Sequence, residues 1–263
     1  MPDFVKVIII AVIQGLTEFL PVSSSAHSVF ARHLLNLHST GADLEIALHL
    51  GTLFSVLVFY RRRVGGLLLG LLKRETEALR YFMLLFLASM PALLVYTLFH
   101  DQIESYFGNP AATAGLLCMT GVGLLMMKLT EKRPSDPVGP GAAFRMGVAQ
   151  ACALLPGISR SGATLLAARA AGTERRAAVE FSLLMSVIAV TAAVILKMFH
   201  QSPGAMTFGY GTLGLGVAVS AVVGYAAISW LVKLMEANRL WLIGCYCLAA
   251  GALAWWFFTV TGS

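Results

Sequence analysis

Two short stretches carry side chains that an apolar setting should not hold without a reason. The first, Gln14 to His27, reads QGLTEFLPVSSSAH and continues the apolar run VKVIIIAVI. The second, Pro156 to Thr164, reads PGISRSGAT and lies within another apolar stretch. Of the thirteen acidic residues, Glu18 lies well inside an apolar stretch, and Arg160 is the cation most clearly embedded in one. A charge at mid-bilayer costs at least about 2.5–3.5 kcal/mol, so such residues default to a functional reading. A purely structural pair competes poorly, because desolvation cancels most of what a buried pair contributes.

The residue types and spacings define a chemistry. Gln14 and Glu18 stand four apart and share a helix face, and Ser23 and Ser24 precede His27 by four and three residues. Arg160 can hold phosphate oxygens bidentately. Glu18 can ligate a divalent cation or act as a base, and His27 can move a proton or attack phosphorus. The set is thus an acid, an amide, clustered hydroxyls, an imidazole and a guanidinium. His49, four residues into an apolar run, reads as a hydrogen bond to a neighbouring helix; His33, His38, His100 and His200 read as interfacial.

Local backbone chemistry places these groups. Pro21 lacks an N–H and disfavours helix at the residue before it, so a first helix should end near Leu20. Ser23, Ser24 or Ser25 then caps a second helix that carries His27. Pro156, Gly157, Ser159 and Ser161 repeat the pattern around Arg160. A helix start aims free N–H groups and a positive dipole end outward, which suits phosphate. Two such starts entering from opposite leaflets would meet around one anion.

The rest of the chain is built to hold them in lipid. Of 263 residues, 58% are hydrophobic and 12% charged, against about 25% charged in a soluble domain. Uninterrupted apolar spans fall near 44–60, 81–99, 111–130, 178–197, 208–233 and 239–260, and two broken stretches near 4–37 and 141–170. The N-terminus reads as a retained first helix rather than a cleaved signal. Cys118, Cys152, Cys245 and Cys247 show no metal-like spacing and read as small core residues. Glu45 and Glu180, at span starts, read as first-turn acids favoured by the helix dipole.

The net charge of +6 is topological and not a nucleic-acid footprint. Arg61, Arg62, Arg63, Lys73, Arg74 and Arg80 form one group, and Lys128, Lys132, Arg133 and Arg145 a second. Arg169, Arg175 and Arg176 form a third, and Lys233 and Arg239 a fourth. If both broken stretches enter the membrane and return, all four groups face the cytoplasm, as the positive-inside rule asks. A shift of 136 residues lays Gln14 on Gln150, Ser23 on Ser159, Ser25 on Ser161 and Ala26 on Gly162. The expected fold is therefore an all-α polytopic membrane protein. It is one membrane domain over 1–263, with six full transmembrane helices and two broken re-entrant hairpins. It is arranged as an inverted-topology repeat of about 1–133 and 140–263 around a central site.

The two motifs resemble the signatures of the undecaprenyl-diphosphate phosphatase family of the bacitracin-resistance type. Gln14 and Glu18 fit the first pattern; Pro156, Gly157, Ser159, Arg160, Ser161 and Thr164 fit the second. The resemblance implies hydrolysis of a long-chain prenyl diphosphate lipid to the monophosphate, with Mg²⁺ or Ca²⁺ as cofactor and Glu18 as its ligand. It implies a bacterial inner membrane location with the site opening to the outer, periplasmic side. Glu18, Ser24, His27 and Arg160 would be catalytic, and Gln14, Ser23, Ser25, Ser159, Ser161, Gly162 and Thr164 would bind substrate. The bilayer is an expected partner, nucleic acid is not, and a homodimer stays open. Ala26 stands where the family usually has glycine, and SLLMSVIAV lacks the proline often found after that serine. The rival reading is a transporter of the lipid monophosphate, for which binding groups suffice and no nucleophile is needed. Acid-phosphatase-like lipid phosphatases are disfavoured by the spacing of Lys128, Lys132, Arg133 and Pro134.

Overall fold

The computed structural model describes residues 3–34, 42–129, 137–200 and 208–261. Among these the chain is all-helical, with eleven α-helices and no strand. In chain order they are α1 (Asp3–Phe19), α2 (Ser24–Leu34), α3 (Ala42–Phe59), α4 (Arg61–Leu72), α5 (Thr76–Phe107) and α6 (Pro110–Met126). Then follow α7 (Pro140–Cys152), α8 (Arg160–Ala170), α9 (Arg175–His200), α10 (Tyr210–Glu236) and α11 (Leu240–Thr261).

Four helices, α5, α9, α10 and α11, are long and apolar enough to cross a membrane, and α3 with α4 makes a fifth candidate if the bent pair counts as one span. At 17 residues α6 is a shorter apolar helix. The outer faces carry large apolar side chains such as Phe82, Met83, Phe86 and Leu94 on α5 and Trp255 and Trp256 on α11. An apolar perimeter of that extent belongs against lipid. The molecule is a multi-pass membrane protein.

The interior brings the two broken stretches together. Packing pairs α10 with α3 and α1, α11 with α6, and α7 with α5. The α3–α10 contact is close enough to need glycine: a Cβ at Gly51 would lie 2.4 Å from the Val217 carbonyl oxygen. One core cluster joins Phe19, Leu20, Val22 and Ala26 from the first break to Leu165 of α8, Leu117 of α6, Phe181 of α9 and Ile228 of α10. Burying those side chains fixes where both breaks sit.

Several expectations need correction. The basic connection 61–80 contains a helix, α4, bent by 80° from α3. Val64 and Leu67 pack against the core, while Leu68, Leu69 and Leu72 stay exposed. Glu180 is not in the first turn of α9. It accepts from Arg63 Nε at 2.8 Å and from the Tyr81 hydroxyl at 3.2 Å, and the Arg63 guanidinium lies 4.6 Å from the Tyr81 ring centre. Arg169, grouped above with loop cations, is buried and donates to the Thr173 carbonyl at 3.1 Å, closing the end of α8. Of the cysteines only Cys247 is buried; Cys118 is half-buried, and Cys152 and Cys245 are exposed. Glu45 does lie in the first turn of α3. His38, Lys132 and Arg133 lie outside the described residues, as does the side chain of His200.

Candidate active site

Both breaks are built alike. In the first, α1 stops at Phe19, the Val22 N–H turns back to the Leu20 carbonyl at 2.7 Å, and Ser23 sits at φ 65°. Its hydroxyl accepts from the Ala26 N–H at 3.3 Å and lies 3.0 Å from Ser25 Oγ. In the second, Ser159 accepts from the Gly162 N–H at 3.2 Å, and its hydroxyl lies 3.2 Å from Ser161 Oγ. These serines satisfy N–H groups that a helix start leaves open. Gly157 turns the chain at φ 108°, where a Cβ would come within 2.3 Å of the Thr113 carbonyl oxygen. Thr120 of α6 then clamps the break, donating to the Gly157 carbonyl and accepting from the Ser159 N–H, both at 2.9 Å.

The two tips touch: a Cβ on Gly162 would lie 3.3 Å from Pro21 Cβ. Ser24 and Arg160, the first helical residues of α2 and α8, both reach Glu18. Arg160 Nη2 donates to Glu18 Oε1 at 2.5 Å, and Ser24 Oγ donates to Oε2 at 3.0 Å. Gln14 Nε2 also donates to Oε2, at 2.9 Å, and lies 3.4 Å from His49 Nδ1. The Glu18 side chain is 5% exposed and that of Arg160 is 20% exposed. Arg160 Nη1 is buried with no hydrogen-bond partner among the described residues. A buried N–H of a cation left open is costly, so the position is suited to an incoming anion.

The remaining sequence candidates flank this cluster. Thr164 donates to the Arg160 carbonyl at 2.9 Å and pairs with Ser182 Oγ at 2.7 Å. His27 is turned elsewhere: Nδ1 lies 2.9 Å from the Ser23 carbonyl oxygen and Nε2 lies 2.7 Å from the Tyr246 hydroxyl. The hydroxyl of Ser24 is therefore shared with Glu18 and not with His27. Ala26, the departure from the family pattern, is fully buried, so its methyl is enclosed by the core.

The site roles of three residues escaped the sequence reading, although His49 was expected to bond to a neighbouring helix. His49, Thr120 and Tyr246 sit singly in apolar helices, and a polar side chain inside such a run was the signal available for each. His49 does bond to a neighbouring helix as expected, but its partner is the amide that holds Glu18.

The donor set bears on a metal. Among the described residues no three His, Cys, Asp or Glu side chains group as a metal site. Glu18 supplies one carboxylate, which fits a hard divalent cation held mainly by substrate phosphates and not by an all-protein cage.

The family model described as bacitracin resistance protein BacA matches residues 7–253, a span that includes both breaks. This chain belongs to the BacA family. The BacA-family chain is 36% identical over 257 residues to the undecaprenyl-diphosphatase of Rhodopirellula baltica, covering 96% of this chain and 97% of that one. It is 37% identical over 255 residues to the undecaprenyl-diphosphatase of Geobacter metallireducens, covering 93% and 94%. To that of Alcanivorax borkumensis it is 36% identical over 241 residues, covering 89% and 91%. These BacA-type likenesses cover 89–96% of this chain and are not confined to the two motifs.

Proposed function

We propose that this protein hydrolyses undecaprenyl diphosphate to undecaprenyl phosphate and inorganic phosphate, returning the lipid carrier for cell-wall synthesis. The observation that carries the reading is the Glu18 carboxylate held between Arg160 and Ser24, with Arg160 Nη1 left open beside it. A carboxylate at hydrogen-bond distance from a hydroxyl is a base poised for a nucleophile. A transporter of the monophosphate would need the cation but not that pairing.

In this reading Ser24 Oγ attacks the terminal phosphorus and gives its proton to Glu18. The bond to the bridging oxygen breaks, and the lipid monophosphate leaves with the electron pair, with His27 as proton donor to the leaving oxygen. Water then attacks the phosphoserine and loses a proton to His27, Glu18 returns its proton to the serine oxygen, and inorganic phosphate leaves. Arg160 Nη1 and the N–H groups opening α2 and α8 stabilise charge on the equatorial oxygens. Glu18's alternative role is as a metal ligand, in which case it and the substrate's own oxygens would hold Mg²⁺ or Ca²⁺ and the ion would neutralise diphosphate charge. Gln14 and His49 keep the Glu18 carboxylate oriented.

The reading extends to an inverted repeat with six spans. It is supported by α2 and α8, both of 11 residues and offset by the same 136 positions as the serine pairs at their starts. It is supported too by the packing of α1 on α10 and of α7 on α5, which exchange under the repeat. At 17 and 18 residues α6 and α3 reach roughly 26–27 Å, near the hydrocarbon thickness. The protein would lie in the plasma membrane with the site open to the outer face. The arginines and lysines at one set of helix ends (Arg61, Arg62, Lys73, Lys233 and Arg239) favour that orientation.

The test is phosphate release from undecaprenyl diphosphate by purified protein in detergent. Wild type is expected to release phosphate, less with chelator, and Arg160→Ala at a rate lower by roughly 1000-fold. Translocation of the monophosphate in liposomes without phosphate release would establish the carrier instead.

A further inference from the structure

We infer that Tyr246 is a positioning residue of the active site, fixing the tautomer and ring orientation of His27. The inference rests on the hydrolytic reading above for its effect on turnover, but its geometry stands apart from it.

The tautomer follows from elementary bonding. His27 Nδ1 lies 2.9 Å from the Ser23 carbonyl oxygen, which can only accept, so Nδ1 carries the hydrogen. In the neutral ring Nε2 is then a lone pair. The Tyr246 hydroxyl, 2.7 Å away, donates to it. The two rings are nearly parallel, 13° apart with centroids 5.9 Å apart, so stacking and the hydrogen bond restrain the same ring. If His27 gains a proton at Nε2, the phenol turns from donor to acceptor and the pair persists. The imidazole keeps one orientation in both charge states.

The backbone is arranged to the same end. Ser23 is held at φ 65°, a left-handed conformation that costs a non-glycine residue about 1–2 kcal/mol. From there its carbonyl meets both the His27 N–H, at 3.3 Å, and the ring Nδ1. The strained residue thus serves the start of α2 through its hydroxyl and the imidazole of His27 through its carbonyl. Tyr246, 219 positions away on α11 and half exposed, supplies the other restraint. With Nδ1 on Ser23 and Nε2 on Tyr246, His27 leaves Ser24 to Glu18 and faces the phenol.

The test uses the full-length protein labelled with ¹⁵N-histidine, with His27 assigned through His27→Asn. Tyr246→Phe keeps the stacked ring and removes only the hydroxyl. Wild type is expected to show Nδ1 protonated and Nε2 as a hydrogen-bonded lone pair. In Tyr246→Phe the Nε2 resonance should move to the free lone-pair position. In the same variant kcat should fall about tenfold with KM within about twofold. An unchanged His27 spectrum, an unchanged kcat, or a change in KM alone would overturn the inference. If wild type itself released no phosphate, the hydrolytic reading would fail, and the nitrogen spectra would still decide whether Tyr246 sets the ring.

Discussion

Arg160 and Glu18 stand 142 positions apart in the chain and meet at 2.5 Å. Their contact joins the first turn of α8 to the last turn of α1. Their side chains are 20% and 5% exposed. Of the guanidinium nitrogens, Nη2 is spent on the carboxylate and Nη1 is open, so the pair is neutral overall yet still offers an N–H to phosphate.

Shape matters at Arg160 as much as charge. Arg160→Lys is expected to keep the ion pair and lose about 100-fold in phosphate release, because one ammonium cannot serve Glu18 and phosphate in the fork geometry. Steady-state rates on undecaprenyl diphosphate check this; wild-type turnover in the lysine variant would remove the fork from the account.

Ser24 should be the residue that carries phosphate. Rapid acid quench of the enzyme with substrate, followed by mass spectrometry, is expected to find phosphoserine at 24. Glu18→Gln should suppress it, since the base is then missing. Label on His27, or full turnover by Ser24→Ala, would assign the attack elsewhere.

Thr120 should matter for stability. Its hydroxyl satisfies a buried N–H and a buried carbonyl at the second break, so Thr120→Val is expected to cost about 1–3 kcal/mol. Gly157→Ala should cost more, as its φ of 108° is strained for any Cβ and the Thr113 carbonyl stands in the way. Thermal unfolding in detergent measures both; unchanged midpoints would mean that the break is not held from α6.

Glu180 should be dispensable for chemistry. Its pair with Arg63 has side chains 45% and 27% exposed, and exposed pairs contribute about 0–1 kcal/mol. Glu180→Gln is therefore expected to shift stability by less than about 1 kcal/mol and leave phosphate release within twofold of wild type. A larger loss of activity would bring α9 into the site.

The residues that declared themselves in the sequence did so by being out of place. Glu18 and Arg160 are charges in apolar runs, and Pro21 and Gly157 break helices, so the two hairpins and their serine starts could be read from local chemistry. Other features depend on contacts that no local pattern encodes. Glu180 looked like a first-turn acid because its partner Arg63 lies 117 positions away. The α4 helix hid within a basic connection, since Val64 and Leu67 pack against the core only after the chain has bent. Tyr246 looked like a solitary polar residue until α11 brought it to His27, and the helix-to-helix bond read for His49 gained a named partner, Gln14, only from the packed structure.

A double-mutant cycle on phosphate release by purified protein, using Glu18→Gln and Arg160→Ala, tests the central contact most directly. If the two side chains work as one unit, the double variant will be no slower than the slower single one, a coupling of at least about 2 kcal/mol. If the two losses multiply, or if Glu18→Gln turns over like wild type, the contact between the hairpins is not where the diphosphate is cleaved.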